Sequence, residues 1–236
     1  LIGALNSGKY SLFETFKAIE KLIKDGNIVL TETETATDEL RKEFPEEVES
    51  LLSESEYFNE GYNYFKEGLY SQALNEFQKV LALFADNPII YLYIAVCDIY
   101  LSKLKDAGEV LTKVLKISPE HPFVYLLLAK IFFRLKKDEK AVGYLKQGLK
   151  HNSGNVPLLW EMAGYFYKVR DLTNATGKYK EILKIQPGNV QTYLKLGAIY
   201  LKEGNTSQAV EAWKHALKHD PENKIAKTNL ESIGEK

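Results

Sequence analysis

VQTYLKLGAIYLKEGNTSQAVEAWKHALKHDPEN, residues 190–223, decides how the chain is read. In it a large apolar residue, Tyr193, is followed by a small one, Gly197, then by Ala209, then by the bulky Trp213. The same frame recurs toward the N-terminus in steps of 34 residues. Ala175, Ala141, Ala107 and Ala73 stand in register with Ala209, and Ala163, Ala129, Ala95 and Gly61 with Gly197. Leu159, Tyr125, Tyr91 and Tyr57 match Tyr193, while Tyr179, Leu145, Leu111 and Phe77 match Trp213. A fixed period of this length marks a solenoid, whose chemistry is that of an extended binding surface.

Each period makes physical sense as two antiparallel helices. Helices approach closely only where a large side chain is missing. Gly or Ala at the eighth place of each repeat is therefore expected to face Ala at the twentieth. Glu67-Gly68, Lys137-Asp138 and Glu203-Gly204-Asn205 supply tight turns within repeats. Ser118-Pro119-Glu120, Gln186-Pro187-Gly188 and Asp220-Pro221-Glu222 stop one helix and start the next. The register predicts helices over 54–67, 71–84, 88–101, 105–118, 122–135, 139–152, 156–169, 173–186, 190–203 and 207–219, and a last one over 224–233.

Tyr193, Leu196, Gly197, Tyr200, Gly204, Ala209, Trp213, Ala216 and Pro221 resemble the tetratricopeptide repeat (TPR) pattern. The resemblance covers 54–223 as five repeats, 54–87, 88–121, 122–155, 156–189 and 190–223. Departures are Asp98 for an aromatic residue, Glu60 for an apolar one, and Ala85 and Ser153 for the terminal proline. It implies an all-α, right-handed superhelical solenoid. Residues 224–236 are similar to the helix that caps such arrays, offering Ile225 and Leu230 to the last repeat.

Composition sets further bounds. A chain of 236 residues, 45% hydrophobic, buries ample core as one elongated array plus a small extra piece. The single cysteine, Cys97, excludes an internal disulfide framework and reads as a reduced, half-buried packing residue. No apolar run has the length needed to span a bilayer, and no signal peptide is visible. A cytoplasmic, bacterial protein is expected, with a piece preceding Leu1 left open.

The net charge of −1 hides an asymmetry. Residues 32–60 hold 11 acidic and 2 basic side chains, net −9, whereas residues 61–236 hold 18 acidic and 25 basic, net +7. The span 31–53 reads as an acidic linker passing into a lead-in helix, with Leu40, Phe44, Val48, Leu51 and Leu52 on one side. It is either a solvated charged face or a segment lying against its own basic solenoid. Residues 1–30 form another unit. Ser11-Leu12-Phe13-Glu14 is a capping box for a helix with Phe13, Phe16, Ile19, Leu22 and Ile23 on one face, and Ile28-Val29-Leu30 a short strand. This stretch resembles the last helix and wing of a winged-helix domain, and the helical tail of the bacterial PATAN-type (DUF4388) regulatory domain. Four lysines against three acids there argue against nucleic-acid binding.

Motifs for catalysis or metal binding are weak. Gly3 to Lys9 has the spacing of a phosphate-binding loop, but Tyr10 stands where a Ser or Thr hydroxyl must hold magnesium. His215 and His219 share a helix face without a third ligand, which reads as an exposed face rather than a metal site. No nucleophile–base spacing is suggestive. The expectation is a non-enzyme without cofactor or metal.

In the family the first helix of each repeat lines a concave groove. Carried onto this sequence, that face includes Phe58 and Tyr62; then Ile89, Tyr93, Val96 and Tyr100; then Phe123, Leu127, Lys130 and Arg134. The fourth and fifth repeats add Trp160, Tyr167 and Lys168, then Lys195 and Lys202. Ile89, Tyr93, Val96, Phe123 and Leu127 take places that usually face water or ligand, so something is expected to cover them. The places of the family's carboxylate clamp hold Phe58, Tyr62, Tyr93, Phe123 and Leu127, with Asn59 alone in keeping with it. The resulting expectation is an adaptor binding a protein or peptide segment, apolar or amphipathic with acidic flanks. The alternatives are the interaction arm of a larger regulator or enzyme, and a self-associating architectural protein whose groove is filled by residues 1–53 or by a second copy.

Overall fold

A computed structural model describes residues 55–234, and every regular element within them is an α-helix. In chain order these are α1 (Glu56–Lys66), α2 (Tyr70–Leu83), α3 (Pro88–Tyr100), α4 (Leu104–Ile117), α5 (Pro122–Arg134) and α6 (Asp138–His151). Then come α7 (Val156–Lys168), α8 (Leu172–Ile185), α9 (Val190–Lys202), α10 (Thr206–His219) and α11 (Lys224–Ser232). Each expected helix of the array is present, with ends within two residues of the predicted ones. The capping box, short strand, phosphate-loop-like stretch and winged-helix resemblance of residues 1–30 lie outside the described residues, as does the lead-in helix of 31–53.

Helix ends follow from two features that repeat with the period. At the start of α3, the Ile89 and Ile90 N–H groups donate to the Asn87 side chain at 2.9 and 3.3 Å. Asn155, Asn189 and Asn223 accept in the same way from Leu158, Thr192 and Ala226 at 3.0, 3.0 and 3.1 Å. These caps satisfy amide groups that have no partner inside the helix. The second of these five places departs: His121 makes no side-chain cap to α5.

The second feature ends the first helix of every repeat. Gly68, Ser102, Lys136, Arg170 and Gly204 all have left-handed backbone, with φ of 77°, 60°, 58°, 66° and 79°. Around Gly68 the chain closes by two bonds, Gly68 N–H to Phe65 O at 3.1 Å and Leu69 N–H to Tyr64 O at 2.8 Å. Around Lys136 the equivalents are Lys136 to Phe133 at 3.1 Å and Lys137 to Phe132 at 2.9 Å. A left-handed residue just past the helix turns the chain within one residue and satisfies the last carbonyls. That geometry makes the pair antiparallel and fixes which faces meet.

The chain divides into two compact units at Ala141/Val142. In the first, α1 packs on α2, α2 on α3, α3 on α4 and α4 on α5. In the second, α7 packs on α8, α8 on α9, α9 on α10 and α10 on α11. Ala73, Ala107, Ala141, Ala175 and Ala209 are all fully buried. What meets the small residue at the eighth place is, however, the bulky group one turn beyond the alanine. A Cβ on Gly61 would stand 2.9 Å from the Phe77 ring, and one on Gly197 2.3 Å from Trp213. The gap exists to admit a ring.

Cys97 and the last helix depart from expectation. Cys97 is fully buried rather than half-buried, and burial pushes its thiol pKa up, so it is an inert packing group. The last helix offers Ala226 and Leu230 to the core around Trp213, while Ile225 is 57% exposed. Ala226 and Leu230 are four residues apart and share a face; Ile225 is turned about 100° away from it.

Candidate interaction surface

The first helices of the repeats differ in how much of their surface reaches water. In α3, Ile89, Tyr93 and Val96 are 3%, 0% and 4% exposed, and Tyr100 is partly buried. In α5, Phe123, Leu127 and Lys130 are 2%, 1% and 6% exposed, and Arg134 at its end is open. Phe58 and Tyr62 of α1 are also buried. The apolar places expected to need a cover are covered within this single chain.

Tyr93 sits at the centre of an aromatic cluster. The rings of Phe77, Phe65, Phe58 and Tyr62 surround it at centroid distances of 5.0, 5.4, 5.5 and 6.2 Å, three of the four edge-on. Edge-to-face contacts of this kind set the positive rim of one ring on the negative face of another. Tyr100 belongs to the same assembly, stacked on Tyr70 at 4.0 Å. Tyr93 is thus a core residue of the first unit, not a ring presented to solvent. Sequence spacing placed it on a groove and gave no sign of the three rings of α1 that reach across to it.

The second unit presents its face openly. On α7, Trp160 is partly exposed and packs edge-on against Tyr179 at 5.2 Å. Tyr167 is partly exposed, and Lys168 open. On α9, Lys195 and Lys202 are open, as is Leu201 at 40%. Here the structure joins two of the expected residues. The Lys202 ammonium lies 4.2 Å from the centre of the Tyr167 ring and donates a hydrogen bond to its hydroxyl. The cation is held over an aromatic face while its outer side remains in water, an arrangement suited to a carboxylate next to an apolar group.

His215 and His219, weighed as metal ligands, flank a different ring. Tyr193 stacks on them at 5.1 and 6.1 Å with interplanar angles of 12° and 11°. Among the described residues no group of three or more potential ligands is placed to hold a metal ion. No helix among them is long and apolar enough to cross a membrane.

Comparison with known proteins places this geometry. Residues 31–216 match the model of the family described as ChAPs (Chs5p-Arf1p-binding proteins). No curated protein matches. Among solved structures, the MamA protein is similar at 21% identity, over 70% of this chain and 90% of that one, with a TM-score of 0.62. YrrB, described as a TPR protein with an unusual peptide-binding site, shares 17% identity over 79% of this chain and 98% of its own, with a TM-score of 0.59. TTC0263, a thermophilic TPR protein of Thermus thermophilus, shares 19% identity over 75% and 96%, with a TM-score of 0.51. At these identities the likeness is one of fold, and that fold is the tetratricopeptide repeat. The family match begins at residue 31, and the PATAN-type resemblance of residues 1–30 is not confirmed.

Proposed function

The chain belongs to the ChAPs family, and from that premise we propose that it is a non-catalytic scaffold that holds an amphipathic peptide segment with acidic flanks on the first-helix face of its repeats. A general protein-binding role follows from the family and the fold. The finer reading is supported by one observation, the Lys202–Tyr167 pair with its cation over a partly exposed ring. Trp160 adds a second ring on α7, and Lys168 and Lys195 add charge on the two helices. Aromatic groups supply the area that anchors a ligand, and exposed cations set its orientation and association rate. The family's description names protein partners, and YrrB is described as having a peptide-binding site. Both fit a surface that binds chain segments.

Selection from a random peptide library on the whole protein tests this. Sequences with Leu or Phe beside Asp or Glu should be enriched. Reversing charge in Lys195→Glu and Lys202→Glu should abolish that enrichment. No enrichment, or one indifferent to both substitutions, refutes the reading.

A further inference from the structure

Tyr167 and Lys202, joined by the hydrogen bond and the cation–ring contact described above, stand 35 residues apart in the chain. Trp160 and Lys195 have the same separation, seven residues earlier on the same two helices. Seven residues make nearly two whole helical turns and rise about 10.5 Å. By repeat equivalence, the second unit therefore sets a ring of α7 beside a cation of α9 at two levels of one face. Between the levels, at equivalent places, stand Gly164 of α7 and Ala198 of α9. Gly164 is exposed, a Cβ on it would meet no atom within 4 Å, and Ala198 is partly exposed. A gap floored by small residues thus separates the two levels. Among the described residues, neither Lys195 nor Lys202 has a carboxylate within ion-pair distance.

This spacing selects the backbone of a ligand. An extended strand returns a side chain to the same face at about 6.7 or 13 Å and misses the second level. A polyproline helix comes near, at about 9.3 Å for three residues, but has no internal hydrogen bonds. The lysines of this face only donate, so they cannot satisfy the amide groups of such a chain. An α-helix bonds its own backbone and has the same rise as α9. Acids at i and i+7 then meet both lysines at a shallow crossing, and the residue at i+3 or i+4 points at the gap.

We propose that the α7–α9 face of the second unit receives an α-helix of a protein partner, with one carboxylate for Lys195, a second seven residues away for Lys202, and a Leu-sized apolar side chain midway for the gap over Gly164 and Ala198. The inference rests on the reading that this face binds acid-flanked segments, and adds the ligand's conformation and register. Glu161 stands on α7 at the place of Lys195 on α9 and is partly exposed, so an acid at the Trp160 level is steered toward α9. Lys168, open at the place of Lys202, adds attraction at the Tyr167 level. The more acidic turn of the ligand therefore lies at that level. Lys202 is already held on the Tyr167 ring, so little side-chain freedom is left to lose when a carboxylate arrives.

Three stapled helical peptides of equal composition, titrated against the whole protein by fluorescence anisotropy, test the proposal. Each carries two Glu and one Leu, with the acids at i and i+7, i and i+5, or i and i+9 and Leu midway. The i, i+7 peptide should bind about fivefold more tightly than the other two, and Lys195→Ala or Lys202→Ala should each erase that preference. Gly164→Leu fills the gap from an exposed position, so it should weaken the i, i+7 peptide about tenfold without lowering the urea midpoint. If that variant does not fold, Ala198→Leu is read by the same criterion. Equal affinity for the three spacings, undiminished binding by the gap-filling variant, or equal binding of a polyproline peptide with acids at i and i+3 would overturn the proposal. Equal affinities that are all lost in Lys202→Glu would remove the helical register and leave the acid-dependent reading standing. Failure of all three peptides, together with no enrichment from the random library, would remove both.

Discussion

The Cβ that Gly197 lacks would stand 2.3 Å from Nε1 of Trp213. The ring is 1% exposed, so it has nowhere to move. In a helix interior Gly→Ala ordinarily stabilises by about 1 kcal/mol. Here overpacking costs on the order of 1–3 kcal/mol and outweighs that gain. Gly197→Ala is expected to lower the urea midpoint, whereas Gly177→Ala, on an exposed stretch of α8 with no atom within 4 Å of its Cβ, should raise it. Equal responses would show that the repeat's small residue is not a ring pocket.

Three of the five left-handed turn positions carry side chains that are strained there: Ser102, Lys136 and Arg170. A non-glycine residue in this conformation costs about 1–2 kcal/mol. Glycine removes that cost but adds unfolded-state entropy, for a net gain of roughly 0.5–1 kcal/mol. Lys136→Gly and Arg170→Gly should each raise the melting temperature by a few degrees, and Gly204→Ala should lower it by a similar amount. Differential scanning calorimetry decides between these outcomes and no change.

Much of the fold was legible because a repeat tests each local signal five times. Ala73 to Ala209 and the turn residues fixed helix ends to within two residues. The asparagines at 87, 155, 189 and 223 are equally periodic, and Asn, a strong cap, stands directly before α3, α7, α9 and α11. Exposure on the first-helix face was not legible. Whether Tyr93 or Lys195 reaches water depends on groups distant in sequence, and periodicity reports only which residues share a face. The pairing of Tyr167 with Lys202 escaped for the same reason: the face was predictable, the contact between neighbouring repeats was not.

His121 and Asp98 give the first unit opposing responses to pH. Burial lowers the His121 pKa from 6.5 to about 4. Its contribution is complete above pH 6.5 and is lost as pH falls toward 4, because the unfolded chain then binds the extra proton. Asp98 is raised from 3.8 to about 6 by burial first, with Asp106 adding to the rise and Lys103 opposing it. Its contribution is complete below pH 3.8 and is lost as pH rises through 6. Each effect is bounded by about 3 kcal/mol, and partial exposure of the His121 ring reduces it. His121→Asn should therefore become relatively more stable as pH falls from 7 to 5, and Asp98→Asn relatively less. Denaturation midpoints of both variants at the two pH values, read against the parent chain, check the signs; shifts of the same sign would exclude the pair as the source.

Tyr93 in the first unit and Lys202 in the second, both expected from the repeat to line a groove, should separate stability from binding. Tyr93 is fully buried among four rings, and truncating it leaves a cavity that the rigid neighbours cannot fill. Tyr93→Ala is expected to cost about 3–5 kcal/mol in a denaturant titration. Lys202 is open to solvent, so Lys202→Ala should change stability by no more than about 0.5 kcal/mol. Binding should show the reverse order. Loss of the cation over Tyr167 should weaken an acid-flanked peptide by about 0.5–2 kcal/mol, and should flatten the decline of affinity with added salt. Tyr93→Ala, measured below its melting temperature, should bind that peptide as the parent does, because its ring belongs to the core of the other unit. Anisotropy titrations at two salt concentrations decide it. A Lys202→Ala variant with unaltered affinity and unaltered salt dependence would remove the α7–α9 face from consideration as the ligand surface.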